Sequence, residues 1–186
     1  GRKLGHVYSR ISNPTVAAFE SRMTDLEDGI GSVACASGMA ALTVTFLSLL
    51  DAGDELVSGS SIFGGTAELY EHVLGRYAIR TRFADPTSID AISEAITDNT
   101  KLVFLEAIGN PKLDVPNIAA AAELTKAKQI PLIVDTTLLS PVLVSAKSLG
   151  ASIVVSSCTK YISGSGRALG GVTTDLGTFD WRSGRP

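Results

Sequence analysis

Short runs rich in β-branched and apolar residues alternate with helical stretches along this chain, and this alternation restricts the fold more than any other feature of the sequence. Strands that are joined by crossovers of a dozen or more residues pair in parallel. The sequence therefore predicts an α/β fold with a largely parallel sheet. The predicted strands cover residues 33–36, 55–58, 79–83, 102–105, 132–134 and 153–156.

Three helical stretches fit between or before these strands. Asn13 and Pro14 form a helix start ahead of a series of apolar residues, and Gly29 is expected to end that helix. Isoleucines at 89, 92 and 96 mark a second helix, and the alanine-rich stretch 118–128 marks a third.

Composition narrows the range of partners. The 186 residues include 45% hydrophobic positions, enough to bury the core of one soluble domain. The net charge is −3 and no block of basic residues occurs, so binding to nucleic acid or to an anionic membrane is not expected. The expected partners are small molecules or a second copy of the chain.

Cysteine spacing bears on the compartment. Cys35 and Cys158 lie far apart and form no C-x-x-C motif, which fits a reducing cytoplasm. The longest apolar runs are too short to span a bilayer, and no leader opens the chain. Cytoplasmic localisation is therefore predicted.

Polar residues follow two of the predicted strands where ligands usually bind in open α/β sheets, at the carboxyl ends. Asp135 follows strand 132–134, and Ser157, Thr159 and Lys160 follow strand 153–156. If these two strands are neighbours, the carboxylate, the amine and the hydroxyls face one crevice.

This set of groups matches the needs of pyridoxal phosphate. The cofactor requires an amine for its Schiff base, a carboxylate that keeps the ring nitrogen protonated, and donors for its phosphate. A second phosphate cradle is predicted at residues 37–39 (Ser37, Gly38 and Met39), where a strand gives way to a helix with free N–H groups. Singly, each feature also has an ordinary structural explanation, such as a helix cap, a turn or a solvated charge.

Six motifs in chain order resemble the pyridoxal-phosphate enzymes of cysteine and methionine metabolism, the group around cystathionine γ-synthase. The resemblance spans nearly the whole chain. The motifs are VYSRISNPT at 7–15, ASGM at 36–39, FGGT at 63–66, GNP at 109–111, VDTT at 134–137 and SCTKY at 157–161.

The resemblance implies a three-layer α/β/α architecture, the large domain of fold type I, as in aspartate aminotransferase. It implies an N-terminal segment with an interface helix at residues 1–30 and a cofactor-binding domain at 31–186. The chain is then a fragment that lacks the family's C-terminal domain. A homodimer with shared active sites, assembled into a tetramer, is also implied.

Residue roles follow from the same resemblance. Lys160 is expected to hold the cofactor and shuttle protons, Asp135 to face the ring nitrogen, and Phe63 to stack on the ring. Tyr8 and Arg10 are expected to reach the phosphate bound by a partner subunit, where the planar guanidinium suits phosphate oxygens.

Two further residues have counterparts in the family pattern. Asn110 is expected to contact the 3-oxygen of the cofactor. Glu106 matches an acidic residue beside the site to which no chemical role is assigned, and a structural role is at least as well supported.

Within the family the chain resembles O-acetylhomoserine sulfhydrylases, on residues 106–111 and 177–181. Such an enzyme replaces acetate on O-acetylhomoserine with sulfide or methanethiol. Alternatives are cystathionine γ-synthase or a methionine or cystathionine lyase, and, in another class, a non-catalytic cofactor-binding or self-associating fragment.

Three positions depart from the family pattern. Phe63 replaces a usual tyrosine, so its ring can stack but has no proton to donate. Thr136 and Ser165 replace an asparagine and a histidine expected beside the cofactor, which leaves the substrate less certain.

Other motifs carry less weight. His6 and His72 are isolated, so no metal site is expected. The glycines at 164–171 follow the lysine loop and do not clearly open a helix, so they are a weak match to a nucleotide loop. Cys158 is interpreted as a packing residue.

Overall fold

The computed structural model describes residues 5–182, so residues 1–4 and 183–186 of the two expected domains lie outside it. Helices and strands alternate as the sequence predicts as far as the strand at residues 132–135, after which two further strands follow without a helix between them. The helices are α1 (Pro14–Leu26), α2 (Gly38–Leu49), α3 (Gly64–Glu68), α4 (Ile89–Ala95) and α5 (Ile118–Ala127). The strands are β1 (Gly31–Cys35), β2 (Glu55–Gly59), β3 (Arg80–Ala84), β4 (Thr100–Glu106), β5 (Leu132–Asp135), β6 (Ile153–Ser156) and β7 (Gly171–Asp175).

All seven strands form one sheet in the order β1-β7-β6-β5-β4-β2-β3. The five strands from β6 to β3 pair in parallel, which confirms the predicted mostly parallel sheet. In particular, β5 and β6 are neighbours, as the proposed crevice requires.

The other two strands depart from the parallel pattern. Strand β7 was not predicted, because it follows a glycine-rich loop and itself begins with Gly171. It returns antiparallel to β6, and β1 pairs antiparallel with β7 rather than with a parallel neighbour. The sheet therefore gains an antiparallel edge on the side of β1.

Helices cover both faces of the sheet, which confirms the three-layer α/β/α architecture. Successive strand residues point to opposite faces, and two separate cores result. On β4, Val103 and Leu105 pack with α4 and α5, whereas Leu102 and Phe104 pack on the other face with α2.

The sequence around Asn13 explains where α1 begins. The side chain of Asn13 accepts hydrogen bonds from the N–H groups of Thr15 and Val16, with Pro14 in the first position of α1, as predicted. Helix α1 then packs on β1 and β7. The connection from β5 to β6, residues 136–152, consists of turns and irregular segments.

After α3 the chain continues through a π-helical turn at Leu69–Val73 and a 3-10 turn at Leu74–Tyr77 before β3 begins. Within residues 5–182, no helix combines the length and apolar character that crossing a bilayer requires.

Candidate active site

A cleft opens at the carboxyl ends of the parallel strands. Glu106 ends β4, Asp135 ends β5, and Ser157 follows β6, so three neighbouring strands deliver polar groups to the same edge of the sheet. The cleft encloses about 650 Å³, including the part open to solvent. Its lining consists of Gly38, Met39, Leu42, Phe63, Thr66, Glu106, Ile108, Asn110, Asp135, Thr137, Leu138, Ser157 and Lys160.

The start of α2 forms one end of the cleft. Ser37 caps this helix, with its Oγ accepting from the N–H of Ala40 at 3.1 Å. The N–H groups of Gly38 and Met39 lie in the first turn, where no intrahelical acceptor exists. Gly38 packs directly on Ser157, because a Cβ atom at Gly38 would lie 2.5 Å from the Ser157 Cβ. Donors from two elements thus converge, an arrangement suited to an anion.

Asp135 is held by the turn that follows it. The N–H of Thr137 donates to the Asp135 Oδ1 at 2.7 Å, and the Thr137 hydroxyl accepts from the N–H of Ser157 at 2.8 Å. Desolvation by burial raises the pKa of Asp135 above its ordinary value, and the hydrogen bonds from Thr137 oppose this shift. Within residues 5–182, no lysine or arginine forms an ion pair with Asp135. A cationic ligand group would relieve this cost.

Lys160 lies on the loop after β6, exposed and facing the cleft. The loop is tied to the strand beside it, since the Thr159 hydroxyl bonds both the N–H and the carbonyl of Gly170. Thr159 itself does not line the cleft, and its contact with the cofactor stays a prediction. Cys158 is buried against Met23 and Val172, in agreement with its interpretation as a packing residue.

Phe63 and Asn110 enter the cleft from two separate loops. The Phe63 ring lies over Gly65, where a Cβ would approach one ring carbon to 2.6 Å. About half of the Phe63 side chain is exposed. Asn110 follows β4 and precedes Pro111 through a cis peptide bond.

Glu106 lies between these two loops. One carboxylate oxygen accepts the N–H of Phe63 at 2.7 Å, and the N–H of Asn110 also favours the ionised carboxylate, though less strongly. Desolvation by burial is the largest cause that raises the pKa of Glu106 to about 7, and the neighbouring Asp135 adds to it, whereas the N–H groups of Phe63 and Asn110 oppose the shift.

Tyr8 and Arg10 lie outside the cleft lining, near the start of the chain. Both are exposed, and the Arg10 guanidinium stands 5.3 Å from the centre of the Tyr8 ring. Their predicted contact with a cofactor in a partner subunit stays a prediction.

Two polar residues in the lining escaped the sequence analysis. Thr137 links Asp135 to Ser157, and the signal for it was the Asp-Thr-Thr series, in which an aspartate commonly bonds the N–H two residues on. The hydroxyl of Thr66 is fully buried and has no hydrogen-bond partner among residues 5–182. Thr136, expected beside the cofactor, instead pairs with Ser156 at 2.8 Å in the interior.

A profile of the Cys/Met metabolism PLP-dependent enzyme family matches residues 1–184. The chain belongs to this family. Its members are enzymes and depend on pyridoxal phosphate, and the sulfur amino-acid chemistry in the family name agrees with the resemblance seen in the motifs.

Individual members show the same likeness. The chain is 43% identical to the O-acetyl-L-homoserine sulfhydrylase of Corynebacterium glutamicum over 98% of its own length and 43% of that protein. It is 38% identical to the L-methionine gamma-lyase of Pseudomonas putida, over 92% of the chain and 43% of that protein. The chain thus spans less than half the length of the curated relatives it matches.

A solved structure shares the fold. The putative O-acetylhomoserine (thiol)-lyase of Campylobacter jejuni aligns with a TM-score of 0.90 at 34% identity, over 94% of this chain and 43% of that one. That protein carries N'-pyridoxyl-lysine-5'-monophosphate.

The residues of the cleft fit pyridoxal phosphate. Gly38 packs against Ser157 without room for a side chain, so the N–H groups at the start of α2 and the Ser157 hydroxyl lie side by side, where they can bind an anion together. Asp135 is a desolvated carboxylate without a cationic partner among the described residues, and Lys160 supplies an amine. In the same described range, no three His, Cys, Asp or Glu side chains are grouped so that they could hold a metal ion.

Proposed function

We propose that this chain supplies the cofactor-binding part of an O-acetylhomoserine sulfhydrylase, an aminocarboxypropyltransferase that makes homocysteine or methionine from O-acetylhomoserine and sulfide or methanethiol. The observation that carries the proposal is the convergence of Lys160, Asp135 and the Gly38 cradle in one cleft. The 43% identity to the C. glutamicum sulfhydrylase supports the choice of substrate.

Each residue of the cleft has a task that follows from its position. When bound, pyridoxal phosphate accepts into its ring the electron pair released at the substrate's α-carbon. The carboxylate of Asp135 would hold a proton on the ring nitrogen. The Nζ of Lys160 would bind the cofactor and then carry protons at the substrate's carbon atoms. The N–H groups of Gly38 and Met39 and the hydroxyl of Ser157 would hold the phosphate.

The other predicted contacts complete the proposal. Phe63 would stack on the cofactor ring without donating a proton, and the amide of Asn110 would contact it from the adjacent loop. Ser37 and Thr159 would act through the groups they position, since one caps α2 and the other fixes the lysine loop.

The assembly forms part of the same proposal. Tyr8 and Arg10 would complete the cleft of a partner subunit, in a homodimer that pairs into a tetramer. Their exposure, together with that of Val7 and Ile11, supports an interface along this segment. The division at residues 1–30 and 31–186 follows this assignment, with α1 on the interface side. Two free thiols, Cys35 and Cys158, agree with a cytoplasmic enzyme.

The first test is cofactor binding. Adding pyridoxal phosphate to the chain should produce an absorbance band near the visible edge, and borohydride reduction should leave the label on the peptide that contains Lys160. Lys160→Ala should lose the band, whereas Lys128→Ala, which removes a lysine at the end of α5, should keep it. A label distributed over other lysines would contradict the assignment of Lys160.

Substrate assays then separate the enzyme classes. A sulfhydrylase incorporates sulfide into O-acetylhomoserine, whereas a lyase releases an α-keto acid. The lyase alternative has support from the similarity to the P. putida methionine gamma-lyase, and cystathionine γ-synthase is a further alternative. Phe63 argues against a lyase, because its ring lacks the hydroxyl expected to assist proton transfer.

A non-catalytic role is the second candidate, because the match covers only 43% of the C. glutamicum enzyme. If a longer chain turns over O-acetylhomoserine and this chain does not, the difference in length explains the lack of activity. If neither chain shows turnover, a cofactor-binding or self-associating protein is supported.

A further inference from the structure

Helix α3 begins in an unusual way. Its N-cap is Phe63, which has no side-chain oxygen to accept an N–H of the first turn, whereas helices normally start at Ser, Thr, Asp or Asn. The start of α3 is held from elsewhere in the chain. The backbone N–H of Phe63 donates to Glu106, 43 residues away on the neighbouring part of the sheet, at 2.7 Å.

The residues around Phe63 offer little other support. The hydroxyls of Ser61 and Thr66, which flank it in sequence, are buried and have no partner among the described residues. Neither hydroxyl anchors the segment. The bond to Glu106 is therefore the side-chain contact that fixes the backbone on which the Phe63 ring is mounted.

The same carboxylate also holds the second loop. The N–H of Asn110, which lies four residues beyond Glu106 on the loop that follows it, also favours the ionised carboxylate, less strongly than the N–H of Phe63 does. Phe63 and Asn110 face the cleft together with Lys160. One side chain thus connects the backbones of two loops that have no sequence proximity.

The environment of Glu106 makes this connection costly and specific. Its side chain is only 7% exposed and stands beside Asp135 in the paired strands. Desolvation and the neighbouring carboxylate both disfavour its ionised form. A carboxylate kept in such a place is stabilised by the N–H groups that it accepts, since bonds to charged acceptors are stronger than neutral ones.

We propose that Glu106 is a positioning residue, whose carboxylate sets the distance between the Phe63 backbone and the Asn110 backbone and thereby fixes the ring and the amide that contact the cofactor. The proposal rests on the proposed function for its consequence, which is cofactor affinity. The geometric part, the bridging of two loops, stands on the ligand-free chain alone.

Three variants separate the effects of side-chain length, of charge and of removing a buried carboxylate elsewhere in the protein. Glu106→Gln keeps an acceptor oxygen at the same distance but removes the charge. Glu106→Asp keeps the charge but is one methylene shorter, so it cannot reach both N–H groups. The matched control is Glu27→Gln, which alters a buried carboxyl near the start of β1, at the end of the strands opposite the cleft.

Two measurements at pH 8 test the proposal. The first is hydrogen exchange of the Phe63 and Asn110 amides in the ligand-free chain, and the second is the dissociation constant for pyridoxal phosphate. Glu106→Asp should speed exchange of at least one of these amides and weaken cofactor binding, each about tenfold, because a hydrogen bond to a charged group is lost. Glu106→Gln keeps one acceptor oxygen for the N–H of Phe63, so both quantities should lie between those of the unaltered chain and Glu106→Asp, and Glu27→Gln should change neither.

The outcomes are distinct. Unchanged exchange and affinity in Glu106→Asp would overturn the proposal, and so would a Glu106→Gln defect as large as that of Glu106→Asp, because charge and not reach would then matter. If the unaltered chain fails to bind pyridoxal phosphate, the proposed function fails, while the exchange data still decide whether Glu106 bridges the loops.

Discussion

Gly38 and Ser157 pack so closely that a Cβ atom on Gly38 would lie 2.5 Å from the Ser157 Cβ and 3.0 Å from its Oγ. The first turn of α2 and the end of β6 therefore meet without room for a methyl group. We expect Gly38→Ala to push these two elements apart and to weaken binding of pyridoxal phosphate about tenfold or more. Overpacking of this kind usually costs about 1–3 kcal/mol. Absorbance titration of the cofactor measures this.

The control for this variant is Gly31→Ala. Gly31 begins β1, and a Cβ atom there would meet no atom within 4 Å. Its cofactor affinity should equal that of the unaltered chain. Full affinity in Gly38→Ala would show that phosphate binding does not depend on the close packing of α2 against Ser157.

Gly65 has a comparable relationship with Phe63. A Cβ atom at Gly65 would lie 2.6 Å from a carbon of the Phe63 ring, so Gly65→Ala should displace the ring from the cleft. Alanine is the better helix former by about 1 kcal/mol, and α3 itself should gain stability. We expect cofactor affinity to fall several-fold while thermal stability is kept, as measured by titration and by thermal unfolding.

The neighbouring glycine provides a matched comparison. A Cβ atom at Gly64 would meet nothing within 4 Å, so Gly64→Ala changes the same helix without touching the ring. Equal affinities in the two alanine variants would mean that the position of the Phe63 ring does not affect cofactor binding.

The meeting of Asp135 with the lysine loop was predictable from sequence, because it depends on two consecutive strands. A parallel return places the ends of such strands at one edge of the sheet, and the order of the residues then fixes which groups meet. The position of Gly38 at the start of α2 was also predictable, since the sequence marks a change from strand to helix there.

The contacts that escaped prediction join distant parts of the chain. Glu106 bonds an amide 43 residues away, and nothing in its own neighbourhood indicates this partner. Strand β7 was missed because its pairing with β1 spans about 140 residues and its first residue is a glycine. Local sequence patterns predict individual helices and strands, whereas contacts between distant residues depend on the order in which the strands pair.

Asp135 should have opposite effects on stability and on binding. Burial raises its pKa in the folded state, so the stability present below the ordinary carboxyl pKa is lost as pH rises through the raised folded value. Asp135→Asn should therefore make the ligand-free chain more stable than the unaltered chain at pH 8, with no such gain at pH 3. Denaturant unfolding at both pH values measures the difference.

The same variant should bind pyridoxal phosphate about tenfold to a hundredfold more weakly, because a neutral amide cannot hold the ring nitrogen's proton as a carboxylate does. Thr137 offers the control, since Thr137→Val keeps the carboxylate and removes only the hydroxyl that accepts the N–H of Ser157. A loss of affinity in Thr137→Val equal to that in Asp135→Asn would point to loop geometry rather than to the charge.

Glu27 tests the effect of burial far from the cleft. It caps the end of α1 and is 4% exposed, and desolvation raises its pKa from 4.5 to about 7. Its contribution to stability is fully present below the ordinary carboxyl pKa and is lost as pH rises through about 7. The free energy of unfolding of Glu27→Gln should match that of the unaltered chain at pH 4 and exceed it at pH 8, by on the order of 3 kcal/mol at most.

Exposed Glu123 on α5 serves as the control, because Glu123→Gln removes a carboxylate from the surface. Its effect on the free energy of unfolding should not show the rise between pH 4 and pH 8 that is expected of Glu27→Gln. Denaturant unfolding of the three proteins at pH 4 and pH 8 gives the comparison. A constant difference between Glu27→Gln and the unaltered chain at both pH values would mean that Glu27 has its ordinary pKa in the folded protein. The cost of burying its charge would then be offset by a contact at the end of α1. Cofactor affinity should stay unchanged in either case, because Glu27 lies near the start of β1, at the end of the strands opposite the cleft.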